Sequence, residues 1–155
     1  MNKKLFILFS LLIILLSGCT NKINQNDGKE RIYLNKEYYN KGEFIKVNSK
    51  ELDSLDGSFV IFTHNSFCSM GVPCEDIFKS FMEKYKIDFI KIQFDLFKES
   101  KYYEFVKYAP SIIIVKNGKV VAYLDANSDD DIDKYQDISK FEKWIDNYIY
   151  FKEEK

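Results

Sequence analysis

The chain lacks an excess of either charge. Its 155 residues carry 23 basic and 24 acidic side chains, a formal net charge of −1 at pH 7. That balance excludes the dense basic face of a nucleic-acid binder. A membrane-length apolar run is also missing. The run from Leu5 to Leu16, broken only by Ser10, would span ~18 Å as a helix against a hydrocarbon core of ~30 Å. Alanine is scarce, with three residues against 25 Phe and Tyr, so helices here must rest on bulky packing more than on intrinsic propensity. What the chain does have is apolar surface. A hydrophobic share of 46% and an aromatic share of 17% rule out a disordered chain and suit one core at this length. No internal repeat and no second domain boundary are visible.

The N-terminus reads as a targeting segment. Asn2, Lys3 and Lys4 give a short positive start, and the apolar run follows. The run ends in Leu16-Ser17-Gly18-Cys19, which resembles the bacterial lipobox. That resemblance implies cleavage after residue 18, acylation of Cys19, and a mature protein held at the outer face of the cell membrane by its lipid. Loss of residues 1–18 removes two lysines and no acid, which leaves 21 minus 24, or −3. It also leaves Cys68 and Cys74 as the remaining pair of thiols, and an even pair in an exported protein reads first as disulfide chemistry.

From Thr20 to Glu30 the chain is polar and without apolar period, as expected of a flexible tether. Residues 33–44, with scattered tyrosines and Gly42, give no clear pattern, and residues 19–43 are assigned to the lipidated cysteine and its tether. The folded domain is expected over 44–151. Phe44 to Val47 reads as a strand, and Asn48-Ser49-Lys50-Glu51 as a capping box opening a helix to Leu55. Phe59 to Phe62 is a continuous apolar run, as in a strand buried on both faces. Pro73 suits the start of a helix carrying Ile77, Phe78, Phe81, Met82 and Tyr85. A strand over Phe89 to Phe94 and a helix through Tyr102, Phe105 and Val106 follow. Ile112 to Val115 and Val120 to Tyr123 flank Asn117-Gly118, a strong hairpin signal. An amphipathic helix closes the chain through Ile138, Phe141, Trp144, Ile145, Tyr148 and Ile149. The order β-α-β-α-β-α-β-β-α predicts an α/β domain with a mixed central sheet and helices on both faces.

That order, with a Cys pair just after the second strand, resembles the thioredoxin family. Phe67-Cys68 follows the strand as the family's aromatic and nucleophilic cysteine do. Pro73-Cys74 resembles the Pro-Cys that closes the family's redox motif. The segment from Ala109-Pro110-Ser111 through Asn117-Gly118-Lys119-Val120 resembles the stretch from the family's cis-proline through its last hairpin. The resemblance covers roughly residues 44–151. It implies a thioredoxin-like fold, a cis Pro110 that holds substrate backbone beside the sulfurs, Cys68 as the attacking thiol and Cys74 as the resolving one. A thiolate opens a disulfide through a mixed intermediate, and a helix N-terminus stabilises the thiolate. The sequence departs from the family in its spacer, with five residues between the cysteines (Ser69 to Pro73) instead of two. Phe62 stands where the family keeps a buried Asp, and Glu75 and Asp76 follow Cys74, where they would oppose a thiolate.

The implied activity is a membrane-anchored, extracytoplasmic thiol–disulfide oxidoreductase acting through Cys68 and Cys74. Its partners would be protein thiols and disulfides of the envelope and a membrane redox partner, with no cofactor, metal or nucleic acid. The competing reading is a redox-inactive accessory module whose Cys68–Cys74 bond is a structural staple. Metal binding through the two cysteines and His64, the lone histidine, falls short of the four ligands of a closed zinc site. His64, four residues before Cys68, could favour the thiolate or shuttle protons, although a histidine at a strand end is more often a surface residue. Asp125 to Asp131 resembles the start of a calcium loop but has Asp130 where glycine is needed, and reads as a solvated acidic turn. Trp144 is expected in the core.

Overall fold

The run Phe59 to His64 forms the middle of the sheet. In a computed structural model that describes residues 31–65 and 73–154, the strands are β1 (Phe44–Lys46), β2 (Phe59–His64), β3 (Phe89–Gln93), β4 (Ser111–Lys116) and β5 (Lys119–Tyr123). Their order across the sheet is β1-β3-β2-β4-β5. β2 runs parallel to β3, with Ile61 beside Ile90 and His64 beside Gln93, and antiparallel to β4, with Phe59 beside Val115 and Thr63 beside Ser111. β2 and β4 are buried over five consecutive residues each, whereas the edge strand β1 is mostly exposed and β5 mostly half-buried. This is the pattern of a strand covered on both faces at the centre and on one at the rim. The C-terminal ends of the parallel strands β1, β3 and β2 therefore share one edge, and β4 begins there.

Helix α1 (Ser49–Ser54), α2 (Cys74–Tyr85), the single turn α3 (Phe94–Phe97) and α4 (Ile138–Ile145) cover the two faces. On one, Phe78 and Phe81 of α2 meet Phe141 of α4 with ring centroids 4.8 and 5.1 Å apart. Phe78 also packs edge-on to Phe62 of β2 at 5.2 Å. On the other, the Ser49 hydroxyl of α1 donates to the Leu96 carbonyl of α3 at 2.6 Å, while Phe59 packs on Tyr38 and Tyr102. Aromatic pairs of this geometry each add ~0.5–1.5 kcal/mol beyond burial, which is how a chain poor in alanine stabilises its helices. The capping box is formed: the Glu51 N–H donates to the Asn48 side chain at 3.0 Å, and the Asn48 N–H donates to the Glu51 carboxylate at 2.8 Å. Asn117 and Gly118 take the positive φ values of 49° and 74° that a tight hairpin demands.

Three expectations about element bounds are corrected. Phe94 starts the turn α3 instead of ending a strand. The helix expected through Tyr102 to Val106 is only a 3-10 turn, Lys101–Glu104. Its continuity with α3 is broken by Ser100, whose hydroxyl donates to the Phe97 carbonyl at 2.8 Å, and by the Asp53 carboxylate, which accepts the Lys101 N–H at 3.0 Å. α4 stops at Ile145, because the Asn147 amide donates to the Lys143 and Trp144 carbonyls at 2.7 and 3.1 Å. Tyr148 and Ile149 lie beyond it, still buried.

The larger correction concerns residues 31–43, placed in the tether by sequence. Ile32, Leu34 and Tyr38 are all buried in the core. The Ile32 N–H donates to the Tyr148 carbonyl at 2.8 Å, and the Tyr150 N–H donates to the Ile32 carbonyl at 3.0 Å. The segment is pinned by Asp88, 3% exposed, whose Oδ1 accepts the N–H groups of Lys41, Gly42 and Glu43 at 3.2, 2.7 and 2.8 Å. Gly42 makes this turn at φ 81°, where an added Cβ would lie 2.3 Å from the Met82 carbonyl oxygen. The folded domain thus takes in residues 31–43.

Asp88→Ala leaves three backbone donors without their acceptor, and should lower the unfolding free energy by about 3 kcal/mol in urea titrations. Asp88→Asn, which keeps an acceptor oxygen, should cost clearly less. Equal losses in the two variants would show that the oxygen is not what holds this segment.

Candidate active site

Cys74 is the first residue of α2 and is 3% exposed. Pro73 precedes it at the helix cap, with φ −58° and no side-chain cap, and its carbonyl accepts the Asp76 N–H at 2.9 Å. Cys68 and Cys19 lie outside the described residues.

Pro110 lies immediately before β4, buried, and the Ala109–Pro110 peptide bond is cis. Because Thr63 and Ser111 are paired in register, this loop sits beside the end of β2. The Asn65 amide, just past β2, donates to the Ala109 carbonyl at 3.4 Å. A residue that sequence reasoning missed ties the region together. Tyr135, in the 3-10 turn Ile132–Tyr135, is fully buried, and its hydroxyl lies 3.0 Å from the Pro110 carbonyl oxygen and 2.8 Å from that of Leu124. Its single proton is shared between them. Burial drives the Tyr135 pKa well above its ordinary value; a hydrogen bond with Ser111 works against this, and Asp131, Cys74 and Asp125 add to it. Tyr135 is therefore a neutral donor at any physiological pH, and it ties the Pro110 carbonyl to that of Leu124. Its only signal in sequence was an aromatic in an acidic turn.

That turn is less solvated than expected. Asp131 is 6% exposed, accepts the Asp125 N–H at 3.0 Å and pairs with Lys134 at 3.3 Å. Its carboxylate holds the turn to its own backbone. Trp144 is 8% exposed, in the core.

A second group missed in sequence is Lys91, on β3. Its side chain is only 11% exposed, and its ammonium lies 2.5 Å from the Glu75 carboxylate. It also lies 5.0 Å from the Phe44 ring and 5.8 Å from the Phe62 ring. Phe62 itself is 1% exposed and stacks on His64 at 5.8 Å. Glu75, expected from sequence to oppose a thiolate at Cys74, is thus largely compensated by a mostly covered cation. The His64 pKa is lowered, first by burial and then by Lys91 and Lys46, with Glu75 opposing. His64 is accordingly a neutral imidazole near neutral pH.

No known family model matches the chain, and no curated protein sequence matches it. Solved structures do resemble it. A thioredoxin from Schistosoma mansoni is 25% identical, covers 71% of this chain and 99% of its own, and superposes with a TM-score of 0.51. A thioredoxin variant from Halobacterium salinarum is 17% identical, covers 72% of this chain and 95% of its own, with a TM-score of 0.53. The fold is the thioredoxin fold.

The lowered His64 pKa fixes a sign. The unfolded chain, with a histidine near 6.5, binds the proton more readily than the folded one, so stability rises with pH across that window. The folded state should be unpenalised above about pH 6.5 and lose stability as pH falls below it. Urea midpoints compared at about pH 7.5 and about pH 5.5 should fall further for the native chain than for His64→Gln. Equal falls would rule out this contribution.

Proposed function

We propose that the protein is a lipid-anchored thiol–disulfide oxidoreductase acting outside the cytoplasmic membrane on protein thiols and disulfides, through Cys68 and Cys74. The observation that carries this reading is the placement of Cys74 as the buried first residue of α2, on a thioredoxin fold, with the cis Pro110 leading into β4 beside the end of β2. The likeness to a thioredoxin over nearly the whole of that protein's length supports it.

In one exchange, the Cys68 thiolate attacks a substrate disulfide, forming a Cys68–substrate bond and expelling one substrate thiolate. Cys74 then attacks the Cys68 sulfur, forming the Cys68–Cys74 bond and releasing the second substrate sulfur. Two electrons pass from the pair to the substrate, and each released thiolate takes up a proton. The reverse sequence oxidises a substrate dithiol. Pro110, at the open end of β4, would hold the substrate's extended backbone against the sulfurs.

Cys74→Ser should trap mixed disulfides with envelope proteins, seen as reductant-sensitive adducts on non-reducing gels, and Cys68→Ser should trap few. The opposite pattern would exchange the roles of the two sulfurs. If neither variant traps and the purified domain exchanges no model disulfide, the pair is a structural staple and the accessory-module reading replaces this one.

The anchor is tested separately. Its motivation is the Leu16-Ser17-Gly18-Cys19 segment behind the apolar run. Cys19→Ala should lose lipid labelling and leave the membrane fraction; unchanged labelling and retention would defeat the anchoring proposal alone.

A further inference from the structure

At the C-terminal edge of the three parallel strands lies a cleft of ≈350 Å³, lined by Lys46, Val47, His64, Lys91, Gln93 and Leu96. It has the size of a small-ligand pocket and the position that open α/β sheets use for ligands. Its charge is unusual in a chain with no net excess of cations. Lys46 and Lys91 are partners in register on neighbouring strands. Lys46 lies two residues beyond Phe44, whose ring Lys91 overlies, so both lysines project from one face of the sheet. Like charges so placed repel. Among the described residues, Glu75, bound to Lys91, is the acid that offsets them. Two ammonium groups less one carboxylate leave a surplus of one positive charge. Among the described residues Lys46, His64 and Gln93 make no side-chain hydrogen bond or ion pair. Three donors (an ammonium, a neutral imidazole and an amide) thus face one cleft whose remaining walls, Val47 and Leu96, are apolar.

We propose that this cleft binds a carboxylate group carried on a short apolar stem. A carboxylate matches the surplus of one charge, whereas a phosphate dianion would exceed it. Its two oxygens suit the Lys46 ammonium and the His64 or Gln93 N–H, and its methylenes would lie on Val47 and Leu96. Such a group is supplied either by a free small organic acid or by a Glu side chain near the cysteine of a polypeptide substrate. Only the second source rests on the exchange activity proposed above, since Glu75 joins the cleft to Cys74.

The free-acid arm follows the His64 ring proton by NMR during pH titration of the full chain lacking residues 1–18, with butyrate and with butyramide as the uncharged control. Butyrate should raise the His64 midpoint by about one unit, as a close opposite charge does, and butyramide should not. Lys46→Gln should weaken the butyrate response about tenfold in concentration. The second arm compares exchange rates with a disulfide peptide bearing Glu beside its cysteine and with its Gln counterpart. Response to butyrate alone assigns the cleft to free acids, and a faster Glu peptide assigns it to polypeptide side chains. If neither peptide exchanges, the redox reading fails and the butyrate arm still decides the cleft. No midpoint shift with butyrate, together with no preference for the Glu peptide, would overturn the proposal, as would equal shifts with butyrate and butyramide.

Discussion

Every candidate site position described in this domain depends on the burial of β2 on both faces. A strand with no polar face must be paired on both sides and covered above and below, so it takes the centre of the sheet. Its parallel pairing with β3 requires a crossover, which α2 supplies, and its antiparallel pairing with β4 brings Ser111 beside Thr63. The end of β2, the first residue of α2 and the residue before β4 are thereby placed at one edge. Cys74 and Pro110, 36 positions apart, owe their proximity to that strand and not to any local interaction between them.

The electrostatics at this edge are rearranged rather than absent. The face of β2 toward α2 presents Phe62, an apolar ring, under the thiol-bearing helix start. The mostly covered cation of this region, Lys91, then has no acid within the sheet to meet it. Glu75, one residue past Cys74, reaches down to it at 2.5 Å. A lysine left unpaired at 11% exposure would pay a large desolvation cost, and the aromatic faces of Phe44 and Phe62 relieve only part of it. The ion pair therefore fixes the first turn of α2 against β3.

Much of this was legible in sequence because it is written in local signals. The apolar runs at Phe59 and Ile112, the Asn117-Gly118 turn, the Asn48 to Glu51 capping box and the Pro73-Cys74 helix start each declare themselves within a few residues. The missed parts have no such signature. Ile32, Leu34 and Tyr38 are buried without a period; the Ile32 N–H donates to the Tyr148 carbonyl, and the Asp88 N–H, far downstream, donates to the Tyr38 carbonyl at 2.7 Å. Lys91 looked like the solvent side of an alternating strand, and only the docking of α2 covers it. Tyr135 stood in an acidic turn, and its hydroxyl is matched to carbonyls 25 and 11 positions away. The helix expected near Tyr102 failed for the converse reason: the apolar spacing was present, but Asp53 and Ser100 captured the backbone groups a helix needs.

These placements bear on how a Cys-x5-Cys pair could work at all. Whatever the spacer, Cys74 stands at the point where the helix dipole is equivalent to about half a positive charge. The carboxylate next to it would cancel that field if it were free. Bound to Lys91, Glu75 forms a neutral pair that points into the sheet, and Asp76 is left as the one uncompensated acid of the first turn. The positive end of α2 and the surplus cation of Lys46 then lie on the same side of the molecule. An anionic sulfur, or an anionic group beside one, meets a favourable field on approach, with the apolar Phe62 ring and no carboxylate on the β2 face beneath it.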